Sequence, residues 1–198
     1  VEEKLRINAV ILAGGEGRRM GGADKALLPL NGRSLLAHVL YRLTPQVGAV
    51  AISANGNPAR FAAFGLPVLP DAQSLGPLSG VLAGLCWAVG HGADALLTVP
   101  VDVPFLPADL AARLAAAAAG DAPVLAECEG RLHPATALWP VALVAPLAEF
   151  LASGARPKVT DFAFAHGACR VPFPDAGAFA NLNTLQDIAA ATIAGGSA

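Results

Sequence analysis

The sequence predicts an α/β fold: one Rossmann-like nucleotide-binding domain over residues 1–194, its mostly parallel sheet covered by helices on both faces. Three observations predict it. Short apolar runs alternate with segments of helical spacing along the chain. The first run leads straight into a glycine-rich segment. And 55% of the 198 residues are apolar against 14% charged, enough to bury both faces of a sheet.

The elements follow in order. INAVIL (7–12) is a continuous β-branched apolar run, the pattern of a buried strand. SLLAHVLYRL (34–43) repeats apolar residues at helical spacing, with Ser34 placed to cap it. AVAISAN (49–55) is the second strand, and PARFAAFG (58–65) a short helix ended by Gly65. LPVLPD (66–71) is a strand, LSGVLAGLCWAVGHG (78–92) a helix ended by glycines, and ADALLTVPVD (93–102) a central strand. The alanine-rich ADLAARLAAAAAG (108–120) reads as a helix closed by Gly120. APVLAECEG (122–130), HPATALW (133–139), PVALVAPLAEFLASG (140–154) and a last helix from about Thr184 complete the series. No internal repeat is present.

Charge and cysteines exclude several classes. The net charge of −2, with no long basic block, argues against nucleic acid as the main partner. Pro, Gly or a charge breaks each apolar stretch well short of the ~20 residues a membrane span needs. The N-terminal apolar run is too short for a signal peptide. Cys86, Cys128 and Cys169 lie far apart, without zinc or redox spacing. A cytoplasmic location is expected.

The segment AVILAGGEGRRMGGADKALLPL (9–30) carries the first chemistry. It holds five glycines and three cations, Arg18, Arg19 and Lys25, directly after the first strand. Ligands of such folds sit beyond the carboxyl ends of strands. Glycines permit positive φ and let backbone N–H groups approach an anion. A polyphosphate cradle follows; a surface turn needs neither that much glycine nor that much charge. The P-loop pattern fails, because Ala23 and Asp24 follow Gly22 where Lys and Ser/Thr are required. The dinucleotide fingerprint fails at Met20, where its third Gly should stand.

LAGGEGRRMGGADKALLPL resembles the signature of nucleotidyltransferases. With ISANGN, LPDAQSLGPLSGVLAGL, VPVDVPFLP, HPATALW and FANLNTLQD in that order, the chain from about residue 9 to 187 resembles the molybdenum cofactor guanylyltransferases. That resemblance implies transfer of GMP from GTP to the phosphate of molybdopterin, with pyrophosphate leaving and Mg²⁺ as cofactor. It also implies cofactor-insertion proteins and target molybdoenzymes as possible further partners. A phosphate nucleophile is ionised at neutral pH, so positioning and electrostatics carry the reaction rather than a strong base. The sequence fits this, having no convincing Ser-His-Asp or Cys-His set.

The roles distribute accordingly. Gly14, Gly15 and Gly17 offer backbone donors to the phosphates, and Arg19 and Lys25 clamp the β/γ oxygens, whereas Arg18 reads equally as a solvated charge. Leu12 and Ala13 border the guanosine, as the resemblance implies. Asp102, in VPVDVP past an apolar strand, suits Mg²⁺, which takes one or two protein oxygens plus phosphates and water. Asp71 matches a position near base and ribose and can accept from guanine N1 and N2. Asn55 is a further nucleotide-side candidate. Ser53 stands where the family often has Asn, which shortens the reach there. Gly76, Pro77 and Gly80 shape the loop under the base, or simply the entry to a helix. For the molybdopterin side the candidates are Arg131, His133, Lys158, Asn181 and Asn183, with Asn183 or Thr184 alternatively capping the last helix. His38, His91 and His166 read as structural, and Trp87 and Trp139 as core.

Rival readings are a cytidylyltransferase for the same cofactor, whose signature reads Leu-Ala-Ala-Gly, and sugar-phosphate or cobinamide-phosphate nucleotidyltransferases. A non-catalytic GTP-binding delivery protein is the rival from another class, disfavoured by the presence of both Lys25 and Asp102.

Overall fold

The computed structural model describes residues 5–14, 24–70, 76–153 and 158–195. Its centre is a seven-stranded sheet. In chain order the sheet strands are β1 (Ile7–Leu12), β4 (Val50–Ser53), β5 (Val68–Leu69), β6 (Ala95–Pro100), β7 (Val124–Cys128), β8 (Arg131–Pro140) and β9 (Cys169–Phe173). A separate hairpin supplies β2 (Pro29–Leu30) and β3 (Arg33–Ser34). Across the sheet the order is β5-β4-β1-β6-β8-β7-β9. Only β8 runs against its neighbours; all other pairings are parallel. The expected mostly parallel sheet is therefore present, with one antiparallel strand inserted.

Both faces are covered. On one, α1 (Leu35–Leu43) and α3 (Leu110–Ala116) place Leu36, Val39, Leu43, Leu110 and Leu114 against Ala9, Ile11, Ile52, Leu97 and Val99. On the other, α2 (Pro77–Gly90), α4 (Val144–Ala152) and α5 (Val159–Ala165) bury Leu78, Val81, Leu85, Leu147 and Phe162 over Val10, Ala51 and Leu96. Alternate residues of β1 and β6 thus serve opposite cores, which is why those strands read as unbroken apolar runs. The seat of α2 depends on glycine. A Cβ at Gly84 would lie 2.7 Å from Leu96 Cδ2 and 2.9 Å from Val10 Cγ1, so the helix backbone rests directly on the sheet. The last helix, α6 (Leu185–Gly195), sits apart and closes a small cluster of Leu30, Leu35, Leu182 and Ile188 over the hairpin.

Several elements follow the sequence pattern closely. Ser34 Oγ accepts from Ala37 N at 3.2 Å and starts α1. Gly65 ends the Pro58–Phe64 turns at φ 63°, a left-handed conformation that suits glycine. Others differ. The short helix Pro58–Phe64 is a 3₁₀ helix, whereas α3 stops at Ala116, four residues before the expected end at Gly120. The hairpin β2–β3 turns on Asn31 (φ 48°) and Gly32 (φ 78°), the Asn-Gly pair that a type I′ turn uses. No helix among the described residues is long and apolar enough to cross a membrane.

Candidate active site

Parallel register brings the carboxyl ends of three strands together. Leu12 is paired with both Ser53 and Pro100. Beyond them the chain turns out of the sheet in three loops, beginning at Ala13, Ala54 and Val101. Ala13 N–H donates to Ser53 O at 2.9 Å and Leu12 O accepts from Val101 N at 3.1 Å, which stitches these exits side by side. This edge is where ligands of doubly wound sheets lie.

Three residues far apart in sequence meet there. Lys25 Nζ donates to Asp102 Oδ2 at 2.7 Å and to Asn183 Oδ1 at 2.8 Å. The Lys25 and Asp102 side chains are 24% and 17% exposed, so the ion pair is shielded yet reachable. Local structure aims each one. Asp24 Oδ1 accepts from Ala26 N and starts the 3₁₀ turn Lys25–Leu27. Asp24 also pairs with Arg60, which ties the end of the glycine-rich segment to the turn after β4. Asp102 is held from behind, its carbonyl accepting from Leu182 N at 2.9 Å. Asn183 precedes α6, whose N-terminus is closed reciprocally: Asp187 N donates to Thr184 Oγ1, and Asp187 Oδ2 accepts from Asn183 N and Thr184 N, both at 2.8 Å. The Thr184 N–H, with further bonds from Thr184 and Asn183 and the Lys25 charge, keeps the Asp187 carboxyl below its ordinary pKa, against a smaller opposing push from burial. Thr184, not Asn183, is therefore the cap, and the Asn183 side chain is directed at Lys25.

The other expected residues are placed as follows. Gly14 is exposed, nothing among the described residues lies within 4 Å of a Cβ built on it, and its φ is not positive. The positive φ expected of the cradle glycines is thus not found at this one. Ser53 is 3% exposed. Gly80 lies against it, 2.7 Å from Ser53 Oγ and 2.9 Å from Leu12 Cδ2 for a built Cβ. That is a packing role, bringing the N-terminal turn of α2 to the carboxyl edge. Gly76 (φ 94°) and Pro77 open that helix, and with Asn55 they are exposed. Gly15, Gly17, Arg18, Arg19 and Asp71 lie outside the described residues.

On the far side, β7 and β8 form a hairpin through Glu129 and Gly130. Its register jumps from Leu125–Ala137 to Ala126–His133, so Pro134, Ala135 and Thr136 leave the ladder. The β6–β8 pairing ends at Thr98–Ala137, so Arg131 and His133 run on past the end of β6. Arg131 is exposed. His133 is partly buried against Phe179 (ring centroids 4.7 Å), and burial, then the Arg131 charge, lowers its pKa, leaving a neutral ring at pH 7. Lys158, just ahead of α5, and Asn181 are exposed. His38, His91 and His166 each bond a nearby backbone carbonyl. Trp139 is fully buried and donates to Thr98 Oγ1 at 3.0 Å.

Among the described residues no cluster of three His, Cys, Asp or Glu side chains is placed to hold a metal. The donor set still fits Mg²⁺. Two side-chain oxygens, of Asp102 and Asn183, converge on one cationic group, and Mg²⁺ needs few protein oxygens when phosphates and water supply the rest. The Asp24–Arg60 pair had no distinct sequence signal, since it spans 36 positions, whereas Thr184 was a cap candidate and Asp187 stands three residues on, the spacing of a capping box.

A mostly parallel sheet with a lysine–carboxylate–amide cluster at its carboxyl edge has the architecture of the nucleotide-binding α/β class. Residues 9–166 match the model of the MobA-like NTP transferase domain. A molybdenum cofactor guanylyltransferase from Cereibacter sphaeroides is 59% identical over 187 residues, covering 94% of this chain and 96% of that one. One from Acidiphilium cryptum is 52% identical over 188 residues, 93% of each. The crystal structure of molybdopterin-guanine dinucleotide biosynthesis protein A from Archaeoglobus fulgidus superposes with a TM-score of 0.77 at 19% identity, over 96% of this chain and all of that one; it supports the fold. The chain belongs to the molybdenum cofactor guanylyltransferase family, whose members are nucleotidyltransferases with this domain.

Proposed function

We propose that this chain transfers GMP from GTP to the phosphate of the molybdenum–molybdopterin cofactor, releasing pyrophosphate and leaving the guanine dinucleotide form. The observation that carries the reading is the convergence of Lys25, Asp102 and Asn183 on the carboxyl edge, in a chain 59% identical to a guanylyltransferase.

The residues divide the work by charge. The molybdopterin phosphate attacks the α-phosphorus, and the bond to the pyrophosphate oxygen breaks. No proton need be removed first, because that nucleophile is already an anion. The protein's task is to bring two anions together and to meet the charge that grows on pyrophosphate. Lys25 exchanges its bond to Asp102 for phosphate oxygens, while Asn183 stays on the ammonium. Gly14, Gly15 and Gly17 give the phosphates backbone donors, helped by the positive N-terminal end of α2, with Arg19 as a second clamp. Asp102 would hold Mg²⁺, which when bound neutralises phosphate charge. Leu12, Ala13, Ser53, Asn55, Asp71, Gly76, Pro77 and Gly80 border the nucleoside. The projecting hairpin with Arg131 and His133, together with Lys158 and Asn181, faces the acceptor.

The test is pyrophosphate release with molybdopterin as acceptor and GTP, CTP or ATP at equal concentration. GTP should lead by about 5–150-fold in kcat/KM, the value of setting an acceptor such as the Asp71 carboxylate against the wrong base edge. Equal rates with CTP would reassign the nucleotide, and preference for a sugar phosphate as acceptor would overturn the reading.

A further inference from the structure

The amide oxygen that meets Lys25 belongs to a residue whose own backbone is held by a side chain outside the cluster. Asn183 N–H and Thr184 N–H both donate to one oxygen of Asp187, at 2.8 Å each. The next bond along the same short segment, Leu182 N to Asp102 O, holds the other partner of Lys25. So residues 182–184 are fixed at both ends, and both oxygens on Lys25 Nζ depend on that segment. An ordinary helix cap needs only the Thr184–Asp187 exchange. The bond from Asn183 N–H adds nothing to capping; it sets the direction of the residue before the helix.

We infer that Asp187 is a positioning residue: through the backbone of Asn183 it holds Asn183 Oδ1 on Lys25 Nζ and keeps that ammonium at the carboxyl edge of the sheet. The charge of Asp187 is secondary in this arrangement, because its work is to accept two N–H bonds with one oxygen. An amide oxygen does the same. The catalytic consequence rests on the nucleotidyl-transfer reading; the arrangement of Lys25 does not.

The test uses the full chain and two readouts. The first is acetylation of Lys25 by N-hydroxysuccinimide acetate, followed by mass spectrometry with exposed Lys158 as the internal reference. The second is kcat and KM for GMP transfer from GTP. Asp187→Ala should raise the relative Lys25 acetylation rate severalfold and lower kcat roughly 10-fold, the usual size of an outer-layer orienting contact, with KM for GTP little changed. Asp187→Asn should keep most of the parent behaviour. Thr184→Ala removes the other half of the cap but leaves the bonds from both N–H groups to Asp187, so it should lower thermal stability as Asp187→Ala does while leaving Lys25 acetylation and kcat near the parent. In Asn183→Ala, adding Asp187→Ala should cause no further change in either readout, since Asp187 acts through Asn183.

The inference is overturned if Asp187→Ala leaves Lys25 acetylation at the parent rate, if Thr184→Ala reproduces its effects, or if the two losses multiply in the double variant. A parent that transfers no GMP would overturn the functional reading alone, while the acetylation rates still decide the role of Asp187.

Discussion

Replacing Gly84 by Ala sets two effects of known sign against each other. In favour, alanine in a helix interior is better than glycine by about 0.8–1.0 kcal/mol. Against it, the new Cβ would stand 2.7 Å from Leu96 Cδ2, 2.9 Å from Val10 Cγ1 and 3.2 Å from Val10 Cβ. Carbon atoms prefer separations of about 3.5–4.0 Å, so α2 must withdraw by roughly 0.5–1 Å or its neighbours must move. Both neighbours are fully buried, and Val10 is β-branched and stiff in its strand, so the helix is the part that yields. Its withdrawal weakens the packing of Leu78, Val81, Leu85 and Ala88 together, and overpacking of this kind costs about 1–3 kcal/mol. The expected net effect is a loss of up to about 2 kcal/mol. Gly90, in the same helix, has nothing within 4 Å of its built Cβ, so Gly90→Ala should be neutral or stabilising by up to about 1 kcal/mol. Urea unfolding of the two variants beside the parent measures both. Equal stabilisation by the two substitutions would refute the argument that the α2 backbone is seated on the sheet.

Three further outcomes are expected. Lys25→Ala should lower kcat by roughly 10²–10³, the effect of losing one preorganised electrostatic donor, with a much smaller change in the unfolding free energy; near-parent turnover would remove Lys25 from the phosphate site. Asp102→Asn should abolish the Mg²⁺ stimulation of pyrophosphate release more than it weakens GTP binding measured without metal; equal stimulation of variant and parent excludes Asp102 as the ligand. The hydrogen bonds from Arg6, side chain first and then backbone, lower the Asp94 pKa to about 2. A folded-state pKa below the unfolded ~3.9 adds stability above about pH 4, which is lost as pH falls toward 2. Asp94→Asn should therefore cost no more than about 1 kcal/mol at pH 7, this pair being largely exposed, and the gap to the parent should close between about pH 4 and 2 in acid unfolding series; a gap constant with pH would refute it.

Most of the fold was legible because its strands are buried on both faces. A strand such as β1, with Ala9 and Ile11 in one core and Val10 in the other, leaves an unbroken apolar run that little else produces. The ends of the elements were harder to read. Polyalanine has helix propensity to continue α3 to Gly120, yet the helix stops at Ala116, since residues beyond Leu114 bury too little to hold it. The hairpin at Asn31-Gly32 carried a strong turn signal and is easily overlooked, because its strands are only two residues each. At the site, Lys25 and Asp102 stand out as residue types after strand ends. That Asn183 would join them could not be read from spacing, because 158 positions separate it from Lys25. For Gly80, sequence left helix entry and base contact open, and its approach to Ser53 and Leu12 supplies a packing reason for glycine there.

The site also has to remain stable without substrate. An enzyme that joins two anions needs cations at the reaction centre, and a lone ammonium with most of its surface out of water is costly. Here Lys25 is neutralised by Asp102, and the remaining shielding is completed by a neutral amide rather than a second carboxylate. That choice matters for exchange. Two carboxylates would bind the ammonium more tightly and leave an excess negative charge facing the incoming phosphates. One carboxylate and one amide leave the cluster electrically neutral, so a triphosphate is not repelled. On the proposed reading, a nucleotide bound with its metal would give Lys25 phosphate oxygens and Asp102 a cation. Neither charge would then be left unpaired, so the penalty that normally follows breaking a shielded ion pair would not arise. The exchange requires Lys25 to move only as far as its side chain allows, while Asp102 and Asn183 stay where the Leu182 and Asp187 bonds hold them. Fixed oxygens beside the ammonium are thus what the segment 182–187 provides, and Asn183 serves this better than a residue on a free loop because its backbone is tied to the start of α6.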